Sequence, residues 1–153
     1  MVRYGWRVTD ADRDELRAWL ADSYGPLTAE LRKIQSGLKA SEENARTEAG
    51  RRSIRRDAGA DFSVLARRFE EARNRLPEGA LDEETAQMLR VWAGSLYTYC
   101  VMRAQYLSGN QMSRPVQPLT RLLAQANRAF ERALPILREL LDDQPAETQQ
   151  PAT

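Results

Sequence analysis

Residues 81–107, LDEETAQMLRVWAGSLYTYCVMRAQYL, form the stretch that decides the fold. Twelve consecutive residues between Arg90 and Arg103 carry no charge, and apolar side chains point in every direction around a helix of this composition. A helix that is apolar all round is a buried one, and this run is shorter than the roughly 20 residues of a membrane span. Three acids near its beginning favour a helix start, and Gly109-Asn110 favours its end. We therefore predict a buried central helix over about 81–107.

Four further segments place apolar side chains at the three- and four-residue steps of an amphipathic helix. The predicted helices run over about 10–24, 27–40, 61–76 and 118–141. Gly25-Pro26 is expected to end the first of them, and Pro135 is expected to kink or restart the last. Residues 41–60 lack the spacing, so they either extend the second helix as a solvated arm or form a mobile loop.

These segments predict an all-α fold, a mostly antiparallel bundle of four or five helices around the central helix, because the connections are short. Residues 1–142 are predicted to form a single helical-bundle domain. Residues 143–153 are polar, contain proline and lack large apolar side chains, so we predict a disordered C-terminal tail.

The composition restricts the chemistry that the chain can perform. With 23 basic and 22 acidic residues, bulk charge does not predict a binder of polyanions. There is no histidine, and Cys100 is the only cysteine, which excludes imidazole-dependent triads, most zinc sites and an intrachain disulfide. We expect a non-enzymatic protein without a cofactor or a metal. The first residues lack the apolar core of a signal peptide, so a cytoplasmic location is expected.

Although basic and acidic residues balance over the whole chain, several arginines are clustered in one segment. Its members are Arg51, Arg52, Arg55 and Arg56, with Arg67 and Arg68 further along. Such a cluster is typical of a phosphate-binding surface. Lys33 and Lys39 are the only lysines, however, and a chain-wide preference for arginine is typical of GC-rich genomes. The simpler interpretation of the cluster is a solvated loop.

The residues from Ile54 to Phe69 resemble the first half of a repressor-type helix-turn-helix. In that family a glycine closes the first helix and a Leu-Ala pair follows six and seven residues later, as Leu65-Ala66 follow Gly59. The resemblance covers about sixteen residues and implies a turn at Gly59 and a DNA-binding segment. It breaks after Phe69, where the family has a glycine and this chain has Glu70-Glu71, two acids that repel phosphates.

Aromatic residues of the central helix offer a second candidate site. Trp92, Tyr99, Arg103 and Tyr106 share one face at heptad spacing and would line a ligand pocket between helices. Core packing is the favoured interpretation of the aromatic members, and Arg103 would then snorkel to the surface or pair with an acid. Cys100 lies mid-helix among apolar neighbours, so we predict a buried, unreactive thiol.

Three functions remain open on these grounds. The first is a non-enzymatic adaptor or regulatory module that binds a protein partner, possibly a second copy of itself. The second is a nucleic-acid-binding regulator that uses the arginine cluster. The third is a small-molecule binder that uses the aromatic central helix.

Overall fold

The computed structural model describes the backbone of residues 8–109 and 116–149, and the side chains of residues 8–109 and 118–142. All regular structure in these ranges is helical, which confirms the all-α prediction. The α-helices are α1 (Asp10–Trp19), α2 (Gly25–Asn44), α3 (Glu48–Asn74), α4 (Glu83–Leu107) and α5 (Val116–Gln149). A π turn (Leu20–Tyr24) joins α1 to α2, and a 3₁₀ turn (Glu78–Ala80) precedes α4. Within the described ranges, no helix is both long and apolar enough to cross a bilayer.

The first helix does not end at Gly25-Pro26 as the sequence predicts. Proline lacks an N–H, and in a regular α-helix its ring crowds the carbonyl four residues earlier. Here the π turn widens the helix directly before Pro26, and the N–H of Gly25 donates to the carbonyl of Leu20, five residues back. The helical path therefore continues from α1 into α2.

Residues 41–60 are helical on both sides of a three-residue connection, so of the two alternatives left open by the sequence the mobile loop is wrong, and the extension of the second helix holds only as far as Asn44. Helix α2 reaches Asn44, and α3 begins at Glu48, where the Thr47 hydroxyl accepts a hydrogen bond from the N–H of Gly50 (2.9 Å). Helix α3 then runs without interruption through Gly59, so the turn implied by the helix-turn-helix resemblance is absent.

Gly59 serves the packing of α3 against α4 instead. A β-carbon at this position would lie 3.4 Å from the carbonyl oxygen of Ala104 and 3.5 Å from the β-carbon of Leu107. A larger side chain would separate the two helices at this point. The glycine therefore marks the close approach of α3 to the last turn of α4.

Helix α4 is the centre of the bundle, as predicted. It packs most extensively against α3 and α5, and two ring pairs show that α3 runs antiparallel to it: Phe62 with Tyr99 and Phe69 with Trp92, with centroids 6.1 and 5.6 Å apart. The ring of Trp92 also contacts three aromatic rings from other elements, those of Trp19, Tyr24 and Phe130, at 5.4–5.9 Å between centroids. Trp92 thus joins α1, the π turn, α3 and α5.

Two predictions concern the end of the chain: a kink or restart at Pro135 and a disordered tail from residue 143. Helix α5 continues through Pro135 without a restart, and Pro135 lies on an exposed face, where the carbonyl that its ring displaces can turn toward water. The helical backbone reaches Gln149, past the residue at which the disordered tail was predicted to begin. The side chains from 143 onward and residues 150–153 lie outside the described part of the chain.

Candidate functional site

The predicted aromatic site is divided between two environments. Trp92 and Tyr99 are buried, with 2% and 4% of their surface exposed, whereas Arg103 and Tyr106 are half-buried near the end of α4. The Tyr99 hydroxyl accepts a hydrogen bond from Nε2 of Gln35 (2.7 Å), so its polar group is used within the protein. The structure therefore does not bring the four residues together as one pocket, and the two buried rings belong to the core.

Arg103 does not pair with an acid, one of the two arrangements that the sequence suggested, and its side chain is half-buried. Its guanidinium carbon lies 5.3 Å from the centroid of the Phe62 ring, and no acid among the described residues lies within ion-pair distance. Its Nε is buried and lacks a hydrogen-bond partner in the described part of the chain. The side chain packs on an aromatic face, as a cation–π contact.

Cys100 is fully buried, as predicted. Burial raises the pKa of its thiol to about 12, because an apolar environment disfavours the thiolate. The thiol is therefore protonated at neutral pH, and Cys100 is a packing residue rather than a nucleophile.

Two of the clustered arginines fasten the connection between α2 and α3. Nε of Arg55 donates to the carboxylate of Glu42 at 2.7 Å, and this hydrogen bond raises the pKa of Arg55 above its ordinary value. The Nη2 group of Arg51 donates to the carbonyl oxygen of Ala45 (3.3 Å). These two side chains already have protein partners that a phosphate would have to displace.

The remaining arginines of the cluster are exposed on α3 but do not converge. Arg52, Arg56 and Arg67 lie on one side of the helix, and Arg56 and Arg67 are separated by about 16 Å along its axis. Arg68 points about 100° away from Arg67, as adjacent helical residues do. The structure thus spreads the predicted nucleic-acid site along a helix instead of gathering it into a patch.

A cavity of about 450 Å³ opens between α2 and α5. Its apolar lining comes from the π turn, α2, α4 and α5, and comprises Tyr24, Leu31, Trp92, Leu96, Leu123 and Phe130. Its polar lining comprises Thr28, Arg32, Gln35, Asn127 and Glu131. Of the four aromatic-site residues predicted from the sequence, only Trp92 lines this cavity.

The outward face of α4 is the feature that the sequence interpretation missed. Six residues at alternating four- and three-residue steps form this outer α4 stripe: Gln87, Val91, Gly94, Thr98, Val101 and Gln105. None of the six is buried, and none is charged. The twelve uncharged residues between Arg90 and Arg103 contain the signal, because they leave the solvent side of the helix without charge as well as the core side.

Two arginines lie at the outer α4 stripe, one over Gly94 and one at its edge. Arg73 of α3 reaches across the helix, with its Nη1 3.5 Å from the β-carbon position of Gly94 and its guanidinium carbon 6.0 Å from the centre of the Tyr97 ring. Arg90 is held beside the stripe by ion pairs to Glu78 (3.0 Å) and Glu83 (3.4 Å). The stripe is therefore an uncharged strip with a polar border.

Comparison with known proteins adds no family to this description. The chain matches no protein-family model, no curated protein and no solved structure. Within the described ranges, no cluster of three or more histidine, cysteine, aspartate or glutamate side chains is arranged to hold a metal ion.

Proposed function

We propose that the protein is an interaction module that pairs with a second copy of itself through the outer α4 stripe. One observation carries this proposal: the six residues of the stripe, none of them buried, are uncharged from Gln87 to Gln105, a length of about 27 Å. The solvent side of a helix in a globular protein normally carries charged residues, and 29% of this chain is charged. An exposed strip without charges is typical of a surface that a partner covers.

The order of residues in the stripe favours a second copy as the partner. Each stripe residue has a similar counterpart at the same distance on the other side of Leu96. The pairs are Gln87 with Gln105 at nine residues, Val91 with Val101 at five, and the small residues Gly94 and Thr98 at two. In an antiparallel pair of α4 helices related by a two-fold axis, each residue therefore meets its counterpart. A two-fold interface requires this kind of self-complementary surface.

The spacing and size of the side chains fit such a pair. Steps of four and three residues produce the narrow seam of a two-helix coiled coil, in which knobs of one helix enter holes of the other. The central residues Gly94 and Thr98 are small, so the backbones can approach once the Arg73 side chain turns away from Gly94, and Met88 and Met102 flank the seam. Methionine, tyrosine and arginine are enriched at protein interfaces, and Tyr97 and Arg73 border the same face.

The charges beside the stripe also agree with the antiparallel arrangement. Arg90 lies six residues before Leu96, so it would face Met102 of the second copy and not another arginine. Glu84 would face Ser108 of the second copy in the same way. The charged residues of α4 therefore do not meet like charges across the axis, and Arg73 of each copy, which lies against Gly94, is the one like-charge pair that comes near it.

The size of the stripe predicts a weak dimer. A strip about 27 Å long and at most one helix diameter, about 10 Å, wide buries roughly 550 Å² in total when two copies pair. Stable interfaces bury about 1,200 Å² or more, and smaller ones are typical of transient complexes. We expect association that depends on concentration in the micromolar range.

Sedimentation velocity between about 1 and 500 µM tests the proposal, with Thr98→Arg as the disrupting variant. Thr98 is exposed, so the substitution leaves the monomer folded but places two arginines beside the two-fold axis. We expect the wild-type chain to dimerise and the variant to remain monomeric. Val64→Arg is the matched control, because Val64 is an exposed hydrophobic residue (55%) on α3 that receives the same charge away from the stripe.

A charge-complementation experiment separates this interface from any other. Mixing Thr98→Arg with Thr98→Glu should restore a heterodimer, since each substituted side chain faces Gly94 of the other copy and the two lie diagonally across the axis, within reach of each other. Cysteines at 91 in one copy and 101 in the other should form a disulfide, while two copies with cysteine at 91 should not. A monomeric wild-type chain at 500 µM, or cross-linking of 91 to 91, would overturn the proposal.

A further inference from the structure

We infer that the cavity between α2 and α5 binds a small aromatic zwitterion of the amino-acid type. Helix α5 packs on α4 and α2 packs on α3, and the structure shows almost no direct packing between α2 and α5. The seam that this leaves has α4 as its floor, where Trp92 and Leu96 line it. A volume of about 450 Å³ lies within the roughly 300–1,000 Å³ of ligand sites, which in bundles are found between helices.

The π turn supplies Tyr24 to the lining of this cavity. It places the ring of Tyr24 in a stacked contact with Phe130 of α5, with centroids 3.8 Å apart and ring planes 10° from parallel. π turns are rare and are frequently found at functional sites. The apolar lining of the cavity therefore consists of aromatic and leucine side chains. The rings of Trp92, Tyr24 and Phe130 suit a ligand with a planar aromatic group.

Opposite charges stand on the two walls of the cavity. Arg32 belongs to the α2 wall and Glu131 to the α5 wall, and both side chains are exposed. Neither forms an ion pair with any residue that the structure describes. A ligand between the walls can direct an anionic group toward the guanidinium and a cationic group toward the carboxylate. A dianion such as a phosphate ester would meet Glu131 as well as Arg32 and is disfavoured.

The neutral polar groups of the cavity favour a ligand with donors. The Thr28 hydroxyl donates to the carbonyl oxygen of Tyr24 (2.6 Å), and Nε2 of Gln35 donates to the Tyr99 hydroxyl (2.7 Å). These bonds leave Oγ1 of Thr28 and Oε1 of Gln35 able to accept hydrogen bonds from a ligand. Together with Glu131 they suit an ammonium group, while Arg32 suits a carboxylate.

Four indole compounds test each element of this inference: L-tryptophan, tryptamine, which lacks the carboxylate, indole-3-propionate, which lacks the ammonium, and indole. Binding is measured by titration calorimetry and by shifts of the Gln35 and Asn127 side-chain amide signals in ¹H–¹⁵N spectra. We expect L-tryptophan to bind at least roughly tenfold more tightly than either singly charged analogue, because each analogue loses one charge-assisted hydrogen bond. Indole is expected to bind most weakly.

Variants at the two charged positions assign the groups. Arg32→Gln should abolish the preference for L-tryptophan over tryptamine, and Glu131→Gln the preference for L-tryptophan over indole-3-propionate. Lys33→Gln, at the neighbouring residue that lines the separate groove between α2 and α3, is the matched control and should change neither. The same titrations are carried out on Thr98→Arg, which is expected to remain monomeric. Binding of L-tryptophan to this variant would show that the cavity acts independently of self-association. Absence of amide shifts with all four compounds at millimolar concentration, or preferences that survive both substitutions, would overturn the inference.

Discussion

Arg103 of α4 rests on Phe62 of α3, with the guanidinium carbon 5.3 Å from the centre of the ring. The contact lies within the distance at which a cation is attracted to an aromatic face. Its Nε nevertheless lacks a hydrogen-bond partner among the described residues, which costs free energy in a buried environment. Packing of the long side chain on Phe62, rather than charge pairing, therefore accounts for arginine at this position.

Two substitutions of Arg103 separate packing from charge. Methionine keeps a long, flexible chain and removes the buried donor, so we expect Arg103→Met to change the free energy of unfolding by less than about 1 kcal/mol. Alanine removes the chain itself, and we expect a loss of about 1–3 kcal/mol. Urea denaturation of the two variants measures both values. Equal losses would mean that the charge is required after all.

Glycines of α2 and α3 should respond in opposite ways to larger side chains. A β-carbon at Gly37 would meet nothing within 4 Å, so Gly37→Ala should stabilise the fold by up to about 1 kcal/mol through helix propensity. Gly59→Val would push against the backbone of α4 at Ala104 and should destabilise it by about 1–3 kcal/mol. Thermal denaturation of both variants provides the comparison. A stabilising Gly59→Val would show that the two helices separate easily here.

The sequence predicts α4 as the central helix but not which of its sides faces solvent. Its twelve uncharged residues look alike in every direction, so the run does not reveal that one side lies outside the bundle. Only the positions of α3 and α5 make Thr98 exposed while Cys100 is buried. Packing partners therefore decide burial where the helix itself is uniformly apolar.

Local residue preferences mislead at three other points for related reasons. Gly25-Pro26 has the composition of a helix end, but the π turn widens the helix so that the proline is accommodated within it. Gly59 has the composition of a helix interruption, yet its lack of a side chain is needed for contact with α4. The cavity between α2 and α5 is formed by two helices that are far apart in sequence. For this reason the sequence predicts a place in a ligand site for only one of its lining residues, Trp92.

Cys100 should make stability depend on pH in the alkaline range. Burial raises the pKa of the thiol from 9.0 to about 12, so between these values the unfolded chain loses a proton that the folded chain keeps. Stability is therefore fully present below pH 9 and falls by about 1.4 kcal/mol per pH unit above it, until the folded thiol also ionises. Chemical denaturation of wild type and Cys100→Ala between pH 8 and 10.5 isolates this slope from that of other groups. Parallel curves would contradict the burial of the thiol.

Trp92 should be among the least tolerant positions of the chain. Its side chain contacts four aromatic rings, and truncating a buried tryptophan to alanine costs about 3–5 kcal/mol. Thr98→Ala, on the exposed side of the same helix, is the control and should change stability by less than about 0.5 kcal/mol. Chemical denaturation measures both. If Trp92→Ala matches the control, the aromatic cluster does not hold the bundle together.

The exposed arginines of α3 should prove dispensable for both stability and nucleic-acid binding. Replacing Arg52, Arg56 and Arg67 with alanine removes three exposed charges and spares Arg51 and Arg55, which hold the α2–α3 connection. Exposed charges contribute little to stability, so the melting temperature should stay nearly unchanged. We also expect wild type and the triple variant to bind duplex DNA equally weakly at near-physiological salt, because the arginines do not converge and acids lie between them. If this surface binds nucleic acid, the wild-type chain will bind duplex DNA tightly. The plot of log affinity against log salt concentration will then become less steep in the variant, by roughly 0.9 for each arginine removed.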